Sequence, residues 1–159
     1  GGGLHVAGDA TLDHVTVQRN SADGVGGGLY LGNDDNDPNP LAVAELSNSS
    51  IDSNTSHDDG GGIYSDGDLY IDGGNITANM VSTDEVGILT RGGGLYVKDG
   101  SEAELTSLSI TENSAESAGA GIYTEGRLIL SNATVASHSA SATGLAGSNE
   151  GAGIFVTGF

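Results

Sequence analysis

The chain of 159 residues contains no cysteine, which excludes a disulfide framework and any Cys-based zinc site. It carries only 4 Lys and Arg against 22 Asp and Glu, for a formal net charge of -18. Nucleic-acid binding needs a basic footprint, and so does attraction to an anionic membrane surface; both are excluded as partners. No apolar run of 18 residues occurs, so no segment is expected to span a membrane as a helix. Proline is nearly absent, at 2 residues, and the aromatics are 5 Tyr and 2 Phe. A globular domain of this length ordinarily has larger core side chains, so a core of thin aliphatic ladders is expected instead.

Glycine, by contrast, is abundant at 28 residues, and it is ordered. One phrase recurs six times: Gly1-Gly2-Gly3-Leu4-His5, Gly26-Gly27-Gly28-Leu29-Tyr30, Gly60-Gly61-Gly62-Ile63-Tyr64, Gly92-Gly93-Gly94-Leu95-Tyr96, Gly119-Ala120-Gly121-Ile122-Tyr123 and Gly151-Ala152-Gly153-Ile154-Phe155. A second phrase alternates with it, with an aliphatic, a second aliphatic five residues on, and Asn three further. Its copies are Leu12/Val17/Asn20, Leu46/Ile51/Asn54, Ile71/Ile76/Asn79, Leu105/Ile110/Asn113 and Leu130/Val135/His138. The uninterrupted unit is 25 residues, and the observed steps between glycine phrases are 25, 34, 32, 27 and 32. Extra residues therefore enter coils 2 to 5, most of them in coils 2, 3 and 5, and never inside a phrase. Loops bulging from a rigid repeat behave this way.

Apolar residues alternate with polar or small ones at Leu4/Val6, Ala10/Leu12, Leu69/Ile71 and Leu128/Leu130, a period of two that indicates strands. No window shows a helical stripe, and turn residues recur too often for helices. Three short strands in a 25-residue coil predict an all-β, right-handed parallel β-helix, a solenoid of five full coils and a partial sixth. At one strand spacing of about 4.8 Å per coil, the rod is roughly 25–30 Å long. The second residue of the glycine phrase is Gly or Ala in every copy, as an inward position with little room requires. The chain opens and stops within the repeat, so residues 1–159 are expected to form a single solenoid within a longer chain or assembly.

Three columns are candidates for function. Tyr30, Tyr64, Tyr96, Tyr123 and Phe155, with His5 at the start, follow the inward aliphatic and should point outward as a ribbon of rings. Such a strip suits a contact surface, a glycan platform or simple cross-strand packing. Asn20, Asn54, Asn79 and Asn113 should stack as a structural amide ladder, with His138 in the fifth place; Asn also tolerates the left-handed turn conformation. Acidic residues gather in two edges, after the first strand and before the glycine phrase. They are read as a solvated surface or as a calcium site, with Asp34, Asp35 and Asp37 of the coil-2 insertion as the candidate metal ligands. Calcium is the single cofactor the sequence suggests. Lys98 and Arg127 are expected to pair with the neighbouring Asp99 and Glu125.

The pairing of Gly27-Gly28-Leu29, Gly61-Gly62-Ile63 and Gly93-Gly94-Leu95 with Ile51-Asp52-Ser53-Asn54, Ile76-Thr77-Ala78-Asn79 and Ile110-Thr111-Glu112-Asn113 resembles the repeats of the polymorphic outer-membrane-protein family of autotransporter adhesins. That family carries Gly-Gly-Ala-Ile/Leu/Val and Phe-x-x-Asn; here Gly stands for Ala, and Ile or Val for Phe. The resemblance implies an extracellular or cell-surface protein with a structural or adhesive task. The expectation is therefore a non-enzymatic adhesin stalk or self-assembling surface filament, stacking on further coils and meeting a host or matrix glycan or protein. The alternative is a polysaccharide-binding or polysaccharide-degrading β-helix. No coil departs from the repeat to build a cleft, and the glycine triplets precede no helix, which excludes a nucleotide loop.

Overall fold

The computed structural model of the chain describes residues 1–32, 41–83, 88–141 and 151–158. Among these there are strands, turns and bends, and no helix. The strands stack in three parallel walls. The first wall holds Leu4–Val6, Leu29–Gly32, the start of Ile63–Thr77, Leu95–Val97, Ile122–Thr124 and Ile154–Val156. The second places Asp9–Asp13 and Thr16–Gln18 on Ala42–Asp52, followed by the rest of Ile63–Thr77, by Glu102–Thr111, and by Arg127–Ser131 with Thr134–Ala136. The third is a narrow edge of two-residue strands, Ser21–Ala22, Thr55–Ser56, Met80–Val81, Ser114–Ala115 and Ser139–Ala140. The predicted parallel solenoid is the observed fold.

The two sequence phrases fix the register. Leu4, Leu29, Ile63, Leu95, Ile122 and Ile154 pair in one column, and Val17, Ile51, Ile76, Ile110 and Val135 in another. These inward columns form one continuous core. Leu29, Ile63, Leu95, Ile122, Ile76 and Ile110 are fully buried, each contributing about 1.5–3 kcal/mol of transfer free energy. Toward the ends the core residues are only partly buried, at Leu4, Leu128, Leu130, Val135 and Ile154. Two hydroxyls that enter the core are satisfied locally: Ser65 Oγ donates to the Gly67 carbonyl and Thr124 Oγ1 to the Gly126 carbonyl, each at 2.9 Å.

Each coil turns through left-handed residues in three columns. One is the first glycine of the phrase, with φ of 55–70° at Gly26, Gly60, Gly92, Gly119 and Gly151. Another contains His14, Asn48, Gly73, Ser107 and Asn132, and the third Arg19, Ser53, Ala78, Glu112 and Ser137. The third column corrects the expectation that the ladder asparagines themselves take the left-handed turn. The residue just before each one does so, which leaves the asparagine side chain aimed inward.

Candidate functional site

The asparagine column is built as a continuous chain of amide bonds. Asn20 Nδ2 donates to Asn54 Oδ1 at 3.0 Å, Asn54 Nδ2 to Asn79 Oδ1 at 3.0 Å, and Asn79 Nδ2 to Asn113 Oδ1 at 3.1 Å. The same oxygens accept the backbone N–H of the preceding asparagine at 2.8–3.0 Å. The second amide hydrogen goes to a carbonyl of the second wall: Val17 from Asn54, Ile51 from Asn79 and Ile76 from Asn113. Asn54, Asn79 and Asn113 are 0 % exposed, so the bonds among them are made out of reach of water, while those from Asn20 are partly buried. Opposite them stands the third glycine of the phrase. A Cβ on Gly28, Gly62 or Gly94 would lie 2.8–2.9 Å from the asparagine amide and 2.5–2.7 Å from the next coil's carbonyl.

His138 ends the ladder. Its Nδ1 accepts the Asn113 backbone N–H at 3.2 Å, which requires that nitrogen to be unprotonated. Its buried Nε2 makes no well-formed hydrogen bond, although the Ile110 carbonyl lies close enough to favour a proton on the ring. Burial prevails and holds the ring below its usual value of 6.5. The folded chain therefore binds fewer protons here than the unfolded chain. The stability contributed by neutral His138 is present above pH 6.5 and is lost as pH falls from there toward the folded pKa. His138→Asn should restore the amide bonds and stabilise the last coil by about 1 kcal/mol at neutral pH. The melting-temperature gap between variant and parent should widen from pH 7.5 to pH 5, since only the parent loses this contribution. A gap independent of pH would mean that the ring titrates as it does in the unfolded chain.

The aromatic column is in register from His5 through Tyr30, Tyr64, Tyr96 and Tyr123 to Phe155. Ring centroids are 4.8–5.7 Å apart, and from Tyr64 to Phe155 adjacent planes differ by 3–16°. Each inner ring thus turns its faces to its neighbours and leaves edges outward. Sugar platforms need an open face, so this arrangement does not suit the glycan role expected of the column. Nor is the ribbon uniformly exposed. Tyr96 and Tyr123 are 4 % and 7 % accessible and form a second small apolar cluster with Ala118, while Tyr30, Tyr64 and Phe155 remain half-buried.

The cover over Tyr96 and Tyr123 is a charged strap that sequence reading missed. Arg91 precedes Gly92 and lies with its guanidinium carbon 5.1 Å from the Tyr123 centroid, within cation–π range. Its Nη1 reaches Glu125 Oε1 at 3.5 Å, one coil on, and its backbone N–H donates to Asp59 Oδ1 at 2.8 Å. Burial, and then the neighbouring Glu125 carboxylate, raises the Tyr96 hydroxyl well above the usual tyrosine pKa. Burial also pushes Tyr64 up to about 12, helped by Asp66 and Asp59. It lifts the Asp59 carboxyl to about 6, more than the Arg91 charge and N–H lower it. The available signal was positional: Arg91 occupies the same pre-glycine register as Asp59, one coil later.

Two other cations also bond across coils. Lys98 pairs with Asp66 and Arg127 Nη1 with Glu102 Oε2 at 2.6 Å, instead of with the predicted Asp99 and Glu125. The predicted acidic edge after the first strand therefore divides: Asp66 and Glu125 flank the aromatic wall, while Asp9, Asp68 and Glu102 lie on the second wall. Asp34, Asp35 and Asp37 lie outside the described residues. Among the described residues, no group of three or more His, Asp or Glu side chains is placed to hold a metal ion.

The family described as the right handed beta helix region matches residues 2–158 of the chain. No curated protein and no solved structure matches it.

Proposed function

The chain belongs to the right-handed β-helix family, and from that premise we propose that it is a non-enzymatic structural rod of the cell surface, a segment of an adhesin stalk or of a self-assembling filament. The observation that carries this reading is the continuity of the columns. The core ladder and the rings pair coil on coil across six copies of the glycine phrase, and the amide ladder runs through every second phrase to His138. Repeats that contact only their neighbours extend along one axis.

The second reading, a polysaccharide-binding or polysaccharide-degrading protein, draws on Asp59. A carboxyl lifted to about 6 beside Glu125 and Arg91 has the character of a general acid. Against it, Asp59 already accepts the Arg91 backbone N–H, and the rings beside it are stacked on one another.

Two measurements test the proposal. Negative-stain microscopy of the purified chain should show rods, joined end to end if it is a filament subunit and single if it is a stalk segment. Antibody against the chain should label intact cells. Labelling only after permeabilisation, or release of oligosaccharides from a polysaccharide panel with loss in Asp59→Asn, would overturn it.

A further inference from the structure

The outer face of the second wall carries a different column from the aromatic ribbon. Thr11, Glu45, Tyr70, Glu104 and Ile129 are in register there, and Asp13, Ser47, Asp72, Thr106 and Ser131 run alongside. Tyr70 is half-buried and stands between two carboxylates, Glu45 one coil before it and Glu104 one coil after it. Strand spacing puts each of them about 4.8 Å along the axis from the tyrosine. The neighbours of this ring in its column are therefore acids rather than rings. Thr11, Glu45, Tyr70, Asp72, Glu104 and Thr106 are among the residues that line an open groove of about 440 Å³. Desolvation, and then the charges of Asp68, Glu102, Glu104 and Glu45, hold the Tyr70 hydroxyl above its usual pKa.

We propose that this face is a docking surface for a basic segment of a partner protein, with an arginine or lysine seated on the Tyr70 ring between Glu45 and Glu104. Charge complementarity selects the occupant. Asp9, Asp13, Glu45, Asp68, Asp72, Glu102 and Glu104 all face outward on this wall, against the single cation Arg127, which is already paired with Glu102. A guanidinium or ammonium gains from both features at once, the negative ring face and the flanking carboxylates. A neutral sugar uses only the ring, and a bare metal ion only the acids. The surface serves a stalk and a filament equally, because it lies on the side of the rod and not at its ends.

The test uses a labelled peptide of alternating arginine and glycine, titrated against the whole chain at low and at physiological salt. Binding should weaken with salt. Glu45→Gln with Glu104→Gln should weaken it about tenfold, and Tyr70→Leu, which keeps an apolar side chain but removes the ring, about threefold. Asp23→Asn with Asp58→Asn removes the same charge from exposed positions elsewhere and should change affinity less than about twofold. Melting temperatures of all variants establish that they fold. Equal losses in the two double variants would show attraction to the net charge alone and overturn the proposal. So would an unchanged Tyr70→Leu, a peptide that fails to bind, or a neutral polysaccharide that binds the groove more tightly than the peptide.

Discussion

Asn79→Ala is expected to destabilise the chain by about 3–6 kcal/mol, a large share of the total stability of an ordinary domain. The side chain is 0 % exposed, sits in the middle of the ladder and serves four partners. It accepts from the backbone N–H of Asn54 at 2.9 Å and from Asn54 Nδ2 at 3.0 Å. It donates to the Ile51 carbonyl at 2.9 Å and to Asn113 Oδ1 at 3.1 Å. Truncation orphans the Asn54 N–H and leaves the Ile51 carbonyl, Asn54 Nδ2 and Asn113 Oδ1 each with one partner fewer. Each buried polar group left unpaired costs about 1–3 kcal/mol. Asn79→Asp separates hydrogen bonding from volume. A carboxylate keeps both acceptor contacts but points lone pairs at the Ile51 carbonyl and at Asn113 Oδ1, and it also buries a charge, so it should cost at least as much as alanine. Urea unfolding of parent and variants measures the differences. An Asn79→Ala midpoint within the range of an exposed substitution such as Asp72→Ala would show that the ladder accompanies the fold without supporting it.

Most of this ladder was legible in the sequence because it is local in register. An asparagine three residues after an inward aliphatic returns in every full coil until His138, and stacking in register follows once the coil length is known. The core columns were legible for the same reason, as was the outward direction of Tyr30, Tyr64, Tyr96, Tyr123 and Phe155. What could not be read depends on side chains reaching across coils. Arg91 meets Glu125 and Tyr123 only after an insertion has been folded out, so their separation of 34 and 32 residues carries no motif. The burial of Tyr96 and Tyr123 is a consequence of that strap, and alternation alone gives direction without cover. The left-handed residue before each asparagine was hidden because Arg19, Ser53, Ala78, Glu112 and Ser137 share no chemistry. Their conformation is imposed by the coil, against local preference. Tyr70 passed unnoticed because its column holds acids and not other rings.

Gly62→Ala carries the second large effect, expected at about 3 kcal/mol, the upper end for overpacking a tight core. The cause is space. A Cβ there would lie 2.5 Å from the Gly94 carbonyl oxygen and 2.9 Å from the Asn79 side chain. The first contact is backbone of the next coil and the second a member of the ladder, so neither yields without breaking other bonds. The glycine phrase contains a built-in comparison at its second position. That column also holds a tight glycine, with Gly61 Cβ 2.5 Å from the Gly93 and Met80 carbonyls, yet in later coils it becomes Ala120 and Ala152. The third position is glycine in all six copies. Gly61→Ala should therefore be the milder of the two, since Ala120 shows that the third wall can withdraw enough to admit a methyl at that position. The link between glycine and ladder can be measured directly. Asn79→Ala removes the amide that a methyl at residue 62 would strike, so the double variant should be less destabilised than the sum of the single ones, with a coupling of about 1 kcal/mol or more. Strict additivity, or a Gly61→Ala cost equal to that of Gly62→Ala, would mean that the third glycine answers to the neighbouring coil alone and that its pairing with the asparagine column has no energetic content.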